Sequence, residues 1–224
     1  MKLSPLGDQA ILARFDDEAT AAYWATSLRA AAPPWLLDVV PAYATVGVFF
    51  DGTQIRFFEV QGWLENCSGQ PAEGPSEEST NDELITVPCC YELSPDLDFV
   101  ANHLGLTTAK VIEFHSGTEY RVYAVGFCPG FPYLGYLPDQ LSGVPRLGTP
   151  RLRVEAGSVG LTGRQTGICT MPRPGGWPII GRTPLTLVDL EMNFFSFSVG
   201  NRVRFSSISA SELNDRFRES TAPK

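Results

Sequence analysis

Between residues 149 and 182 the chain gathers residue types that suit anion chemistry. Arg151, Arg153, Arg164, Arg173 and Arg182 fall within thirty-two residues. A guanidinium makes paired hydrogen bonds to a carboxylate or a phosphate. Five of them would build a cationic site in a chain whose formal net charge is −8. Pairing with Asp139, Glu155 and Asp189 is the other use open to the same groups. Gly157, Gly160, Gly163 and Gly167 lie in TPRLRVEAGSVGLTGRQTGI (149–168). Their amides either cradle an anion or serve tight turns of a β-structure. There is no Gly-Lys-Ser/Thr, and no GxGxxG between a strand and a helix, so Walker and Rossmann readings fail. Gln165 and Thr166 offer an amide and a hydroxyl to a polar ligand. In RPGGWPIIGRTPL (173–185), Trp177 after Gly175 and Gly176 is either a lid over a pocket or a core plug.

Other single residues carry less. His115 sits at an expected helix end, where it either caps the dipole or acts as a general base; His103 reads as a cap. Cys128 has no basic partner nearby in sequence and reads as a structural thiol. Ser158 in AGSVG lacks the glycine pattern of a nucleophile elbow, since Ala156 stands in it. The segment GFCPGFPYLGYLP (126–138) packs three glycines, three prolines, two phenylalanines and two tyrosines into thirteen positions. Gly126, Pro129, Gly130 and Pro132 fix its backbone before any ligand arrives, which lowers the entropy cost of binding. Phe127, Phe131 and Tyr133 would then wall a small cyclic substrate or meet a partner, with core packing as the other use of these rings.

These groups must be held by elements legible in the pattern. Residues 8–15 alternate as a strand, and 16–32 form an alanine-rich helix stopped by Pro33-Pro34. Two strands hinged near Pro41 fill 35–52, and 54–67 is a helix. The order β-α-β-β-α predicts a small ferredoxin-like α+β layer. Residues 68–83 contain clustered acids and no aromatic residue, and read as a flexible linker. A strand at 84–91 follows, then two short helices: 94–106, with Ser94 as N-cap, Pro95 at N1 and Gly105 as stop, and 107–117. A strand at 119–126 opens a region, to 205, of short apolar runs cut by Gly, Pro and Ser, which predicts a β-sandwich or closed barrel. Residues 194–208 read as a hairpin turning at Gly200-Asn201, and 209–220 as a closing helix. The expected units are thus an α+β domain at 1–67, an acidic linker at 68–83, a β-barrel domain at 84–208 and a tail at 209–224.

Composition narrows the partners. Hydrophobic residues make up 43% and charged residues 19% of 224 positions, enough apolar surface for a core with few surface ion pairs. The acidic balance argues against nucleic acid and against anionic membrane. Five cysteines without CxxC spacing and two histidines give no metal motif and fit a reduced, cytoplasmic protein. The first residues hold no signal-type apolar core, and no run suffices for a membrane span.

The three long motifs EYRVYAVGFCPGFPYLGYLP, TPRLRVEAGSVGLTGRQTGI and PGGWPIIGRTPL closely resemble the B component of the bacterial ATP-dependent 5-oxoprolinase, the PxpB/KipI family, formerly labelled allophanate hydrolase subunit 1. The resemblance extends over roughly residues 6–206. It implies an α+β domain followed by a cyclophilin-like β-barrel. It implies a C-type partner subunit with a related barrel and an A-type, lamB-like subunit. The assembly opens 5-oxoproline, a small cyclic amide, to L-glutamate with ATP, as Mg-ATP. Related urea carboxylases fuse similar regions, and KipI inhibits a sporulation histidine kinase, so these are the alternative functions implied. The expected catalytic residues are Arg151, Arg182 and Gln165 on the matching motifs, together with His115 just ahead of the first of them. Contacts to substrate or partner fall to Phe127, Pro129, Gly130, Phe131, Tyr133, Arg153, Ser158, Thr166, Gly167, Gly175, Gly176 and Trp177. An amide is a poor electrophile. Phosphorylating its oxygen makes a reactive imidate, a step that needs charge stabilisation around the phosphoryl group. Departures from the family pattern are the shortened CCYELSPDL, Glu155 for proline, Arg164 for glycine and Cys169 for tyrosine.

Overall fold

The computed structural model describes residues 1–67 and 84–221, with the side chains of 218–221 left aside; the expected acidic linker at 68–83 lies outside the described residues. The chain divides into two compact units, residues 1–81 and 82–224.

In the first unit the elements run β1 (Lys2–Pro5), β2 (Ala10–Arg14), α1 (Glu18–Ala31), β3 (Leu36–Ala42), β4 (Thr45–Phe50) and α2 (Phe57–Cys67). The Asp17 carboxylate caps α1 by accepting from Thr20 N at 2.7 Å. The strands form one antiparallel sheet of order β1-β2-β4-β3. Its buried face, Ile11, Ala13, Val39, Val46 and Val48, packs with Ala21, Ala25 and Leu28 of α1 and Val60 and Leu64 of α2. Two expectations are corrected. Strand β1 adds an edge that its polar, proline-ended sequence did not announce. The hinge between β3 and β4 falls at Tyr43-Ala44, with Tyr43 at φ 54°, and Pro41 lies within β3. Edge strand β3 tolerates a proline because its outer N–H groups have no ladder partner to lose.

The second unit runs β5 (Leu84–Cys90), α3 (Leu97–Leu104), α4 (Thr108–Gly117), β6 (Glu119–Val125), β7 (Pro132–Gly135), β8 (Arg151–Val154), β9 (Ser158–Thr162), β10 (Gln165–Ile168), β11 (Arg173–Gly175), β12 (Ile179–Arg182), β13 (Val188–Asp189), β14 (Phe194–Phe195), β15 (Arg202–Ile208) and α5 (Ala210–Thr221). Strands β10-β7-β6-β15-β5-β12-β9 close into a barrel, which fits the cyclophilin-like fold. Its interior holds Val87, Tyr120, Val122, Leu134, Val159, Leu161, Ile168, Ile180, Val203 and Phe205, with Val100 and Val111 of α3 and α4 closing over them.

Two further readings are corrected here. The N-cap position of α3 is Asp96 rather than Ser94, and the Asp96 side chain makes no cap bond because it is used elsewhere. Ser94 instead donates to the Tyr91 carbonyl at 2.9 Å. Residues 194–208 do not form a hairpin: β14 pairs with β13, while β15 runs parallel to β5 and antiparallel to β6. Local alternation showed a strand at 202–208 but not which distant strand it joins.

Candidate functional site

The aromatic loop sits where β6 runs out towards β7. Within it Cys128 N donates to Gly126 O at 2.8 Å, Phe131 N to Cys128 O at 3.1 Å and Gly126 N to Phe131 O at 3.1 Å. Thr170 Oγ1 donates to Pro129 O at 2.7 Å, which leaves the Cys128 thiol to donate to that hydroxyl oxygen at 3.4 Å. Gly130 stands at φ 70°, and a Cβ there would lie 2.2 Å from Val188 Cγ2, so glycine is needed for both conformation and space. Phe127 adopts φ 67°, sparsely allowed for a bulky residue, and leaves its ring 67% exposed. Phe131 is buried and lies over β10. A Cβ on Gly167 would come within 2.8 Å of Phe131 Cζ and 2.9 Å of Pro132 O.

Phe131, Tyr133 and Trp177 form a cluster with centroids 4.9 Å, 5.8 Å and 6.0 Å apart. Together with Val154 and Ile179 they wall a cavity of about 320 Å³. Polar groups reach it from Arg146, Ser158 and Cys169. Burial pushes the Tyr133 phenol above its ordinary range; Arg146 works against the shift and Cys128 adds to it. Burial pushes the Cys169 thiol up to about 11, and the thiol donates to Met171 O at 3.1 Å, so it is neutral and not a nucleophile. The Ser158 side chain is buried, and its hydroxyl has no hydrogen-bond partner among the described residues.

Of the residues expected from sequence, Phe127, Phe131, Tyr133, Ser158, Gly167, Gly175, Gly176 and Trp177 line this cavity. Gly130 and Pro129 shape the loop behind it. In hydrogen bonds and ring contacts the five arginines take different partners, while Arg153 and Arg182 both act on the Glu155 carboxylate. Arg151 donates to Asp96 at 2.6 Å, and Asp96 also accepts from Ile179 N at 2.7 Å, joining α3, β8 and β12. Arg153 forks onto Glu155 at 2.6 Å and 3.2 Å in solvent. Arg164 lies 4.5 Å from the Tyr136 ring centre and Arg182 5.1 Å from that of Phe217. Arg173 meets Met171 Sδ at 3.3 Å. Of the acids read as partners, Glu155 pairs, whereas Asp189 Oδ1 accepts from the Glu191 and Met192 amides. Arg182 Nε is buried without a hydrogen bond, as is Arg151 Nη1.

His115 is fully buried in the second unit's core, away from solvent. Its Nε2 is 3.0 Å from Thr166 Oγ1 and its Nδ1 2.8 Å from the Tyr91 hydroxyl. Thr166 donates its only proton to Gly160 O at 2.9 Å, so it must accept from Nε2–H, and Nδ1 must accept from Tyr91. Burial holds the imidazole down to about 3, hence neutral. A base role at the cavity has no proton path that reaches solvent through this side chain; its place is structural, through Thr166 to the Gly160 wall. Thr166 is fully buried and acts from behind the wall, and Gln165 lies in the β10 ladder opposite Thr162 and Gly135. His103 stacks on Phe99 at 6.3 Å at its helix end. Sequence reasoning missed Arg146, Asp96 and Thr170. Arg146 precedes the arginine-rich stretch by only a few residues, but nothing local separates a cavity arginine from a surface one.

Residues 1–196 match the family described as carboxyltransferase domain, subdomain C and D. The chain is 33% identical over 242 residues to the B component of 5-oxoprolinase from Bacillus subtilis (strain 168), covering 98% of each. It is 37% identical over 194 residues to the B component of 5-oxoprolinase from Escherichia coli O157:H7, covering 82% of this chain and 85% of that one. Among solved structures, TTHA0988 is similar with a TM-score of 0.76 and 34% identity over 91% of this chain. That match takes up 41% of TTHA0988, so the chain spans less than half of that polypeptide.

Proposed function

Because the chain belongs to the family of 5-oxoprolinase B components, among the carboxyltransferase subdomain C and D proteins, we propose that it is the B component of an assembly that opens 5-oxo-L-proline to L-glutamate with ATP hydrolysis. The observation that carries this is the end-to-end match, 98% of both chains, to a protein of that name. The cavity supports it. At about 320 Å³ it stands at the small end of the range of about 300–1,000 Å³ for ligand pockets, and it is walled by rings with few polar groups. Such a wall holds a planar five-membered lactam and keeps water from it, which is positioning rather than bond-making.

Mg-ATP is a different matter. Arg151 and Arg153 are already paired with Asp96 and Glu155. Among the described residues no group of three His, Cys, Asp or Glu side chains is arranged to hold a metal ion. Magnesium at a nucleotide needs only one or two protein carboxylates beside the phosphates, so Mg-ATP is read as used by the assembly and no phosphoryl step is assigned to this chain. The reading therefore includes a C-type subunit with a related barrel and an A-type, lamB-like subunit, with the exposed Phe127 ring at the rim facing one of them. It includes the division into an α+β domain at 1–67 and a barrel domain at 84–208, the first a ferredoxin-like layer whose fourth strand comes from the N-terminal side as β1. It also includes a cytoplasmic location; among the described residues no helix is long and apolar enough to cross a membrane.

The test is reconstitution. The chain is combined with its A-type and C-type partners, and glutamate is measured from 5-oxo-L-proline and ATP. Turnover by the full set, lost when this chain is left out, is expected. A full assembly without turnover overturns the proposal.

A further inference from the structure

The cavity wall is unevenly furnished. Rings and aliphatic side chains supply most of it, and Arg146 is the one guanidinium among its described lining residues. Arg146 is exposed, and it makes no hydrogen bond or ion pair with any described residue. Every other arginine of the 151–182 stretch is engaged by a carboxylate, a ring or a sulfur. A cation left free at a cavity mouth, in a chain of net charge −8, is the local attraction for an anion in an otherwise repelling field. Its charge already reaches into the cavity, since it acts on the Tyr133 phenol.

The second observation is Ser158. It is 8% exposed, lines the cavity, and its hydroxyl has no partner among the described residues. The hydroxyl opens onto the cavity rather than being sealed from water, so a ligand amide would take the place of a water there. One free guanidinium selects a single carboxylate. The phosphates of a nucleotide carry more charge than it can answer.

We propose that Arg146 is the specificity-determining residue of this cavity: its guanidinium takes the carboxylate of a small monoanionic lactam, whose ring lies against Phe131, Tyr133 and Trp177 and whose amide bonds the Ser158 hydroxyl. This rests on the 5-oxoprolinase reading above and adds the groups that choose the ligand. Tyr133 limits how far the ring can slide towards the mouth, because its own ring is fixed by Phe131 and Trp177.

Calorimetric titration of the purified full chain tests it, with 5-oxo-L-proline and, as the same ring without a carboxylate, 2-pyrrolidone. Wild type is expected to bind the carboxylated ring at least about 10-fold more tightly, the scale of a charge-assisted hydrogen bond. Arg146→Met should bring the two ligands together, and Arg146→Lys should recover part of the gap, since an ammonium lacks the fork. Ser158→Ala should weaken both ligands alike, by roughly 5-fold. Equal affinity of wild type for the two rings, no binding of either, or an undiminished preference in Arg146→Met overturns the inference. The reconstituted assembly separates the two claims. Discrimination without turnover sinks the 5-oxoprolinase reading alone; turnover that Arg146→Met leaves intact sinks this one alone.

Discussion

Thr166→Val exchanges one hydroxyl for a methyl of nearly equal size at a site with no exposure. Two hydrogen bonds go with it: His115 Nε2–H to Thr166 Oγ1 at 3.0 Å, and Thr166 Oγ1 to Gly160 O at 2.9 Å. The first loss strands a buried N–H, worth about 1–3 kcal/mol, and the second removes an ordinary bond, about 0.5–1.5 kcal/mol. A proton shift to Nδ1 does not rescue the imidazole, because Tyr91 would then have to accept and send its own proton to the weak acceptor Cys89. The expected destabilisation is therefore about 2–4 kcal/mol. Thr166→Ser keeps the hydroxyl and loses one methyl, about 1 kcal/mol. Urea unfolding followed by amide exchange across 158–168 reports on the barrel and avoids assuming that both units melt together. If the valine variant costs less than the serine variant, the relay from Tyr91 to Gly160 is wrong.

Three further outcomes are expected. Acid should weaken the barrel through His115: an unfolded imidazole takes a proton near pH 6.5, the folded one only near 3, so stability falls as pH drops through that window, by up to about 1.4 kcal/mol per pH unit, and is unaffected above it. His115→Gln should show a shallower acid limb in pH-dependent unfolding; an unchanged slope contradicts the neutral, buried assignment. Gly130→Ala should lose about 2–4 kcal/mol, from the left-handed backbone plus overlap with Val188, and a second change, Val188→Ala, should return only the overlap part in a double-mutant cycle. Arg151→Met leaves Asp96 buried without its cation and should cost about 2–3 kcal/mol, moderated because 31% of the arginine side chain is exposed. Thermal melts that stay at wild-type values while turnover collapses would make Arg151 a reacting group rather than a strut.

What was legible follows the range of each signal. Caps and stops are local, and Thr107 accepting from Lys110 N or Gly105 at φ 66° could be read from a few residues. A β-sandwich or closed barrel was legible as a texture of short apolar runs, and the resemblance chose the barrel. Strand partners were not, because β15 alternates in the same way whether it turns back on β14 or crosses to β5. At the site, the aromatic wall was visible because rings on a glycine- and proline-fixed backbone are unusual anywhere. The arginines could not be apportioned from sequence, since proximity along the chain says nothing of the faces that β8, β11 and β12 turn outward. Asp96, which ties α3 to β8 and β12, went unnoticed because nothing local marks it apart from other polar residues at a helix start. His115 read as a cap or a general base because its partners, Tyr91 and Thr166, come from 24 and 51 residues away.

The placement of β15 bears on how the chain is made. It lies between β5 and β6, in parallel register with β5 from Arg202↔Leu84 to Ile208↔Cys90. During synthesis β5 emerges before β6, yet its neighbour β15 follows only after β6 to β14 have been made. Until then the β5 and β6 edges have no strand between them, and Val203 and Phe205 are missing from the interior. The elements of the first unit end at residue 67, and, made before the barrel, it can settle first. The barrel is therefore a late, non-local closure, slow by its topology and open to edge pairing with other chains while it waits. Nascent chains arrested after residue 190 should be protease-sensitive throughout 84–190 but not within 1–67; resistance of both segments would show that the barrel closes without its last strand.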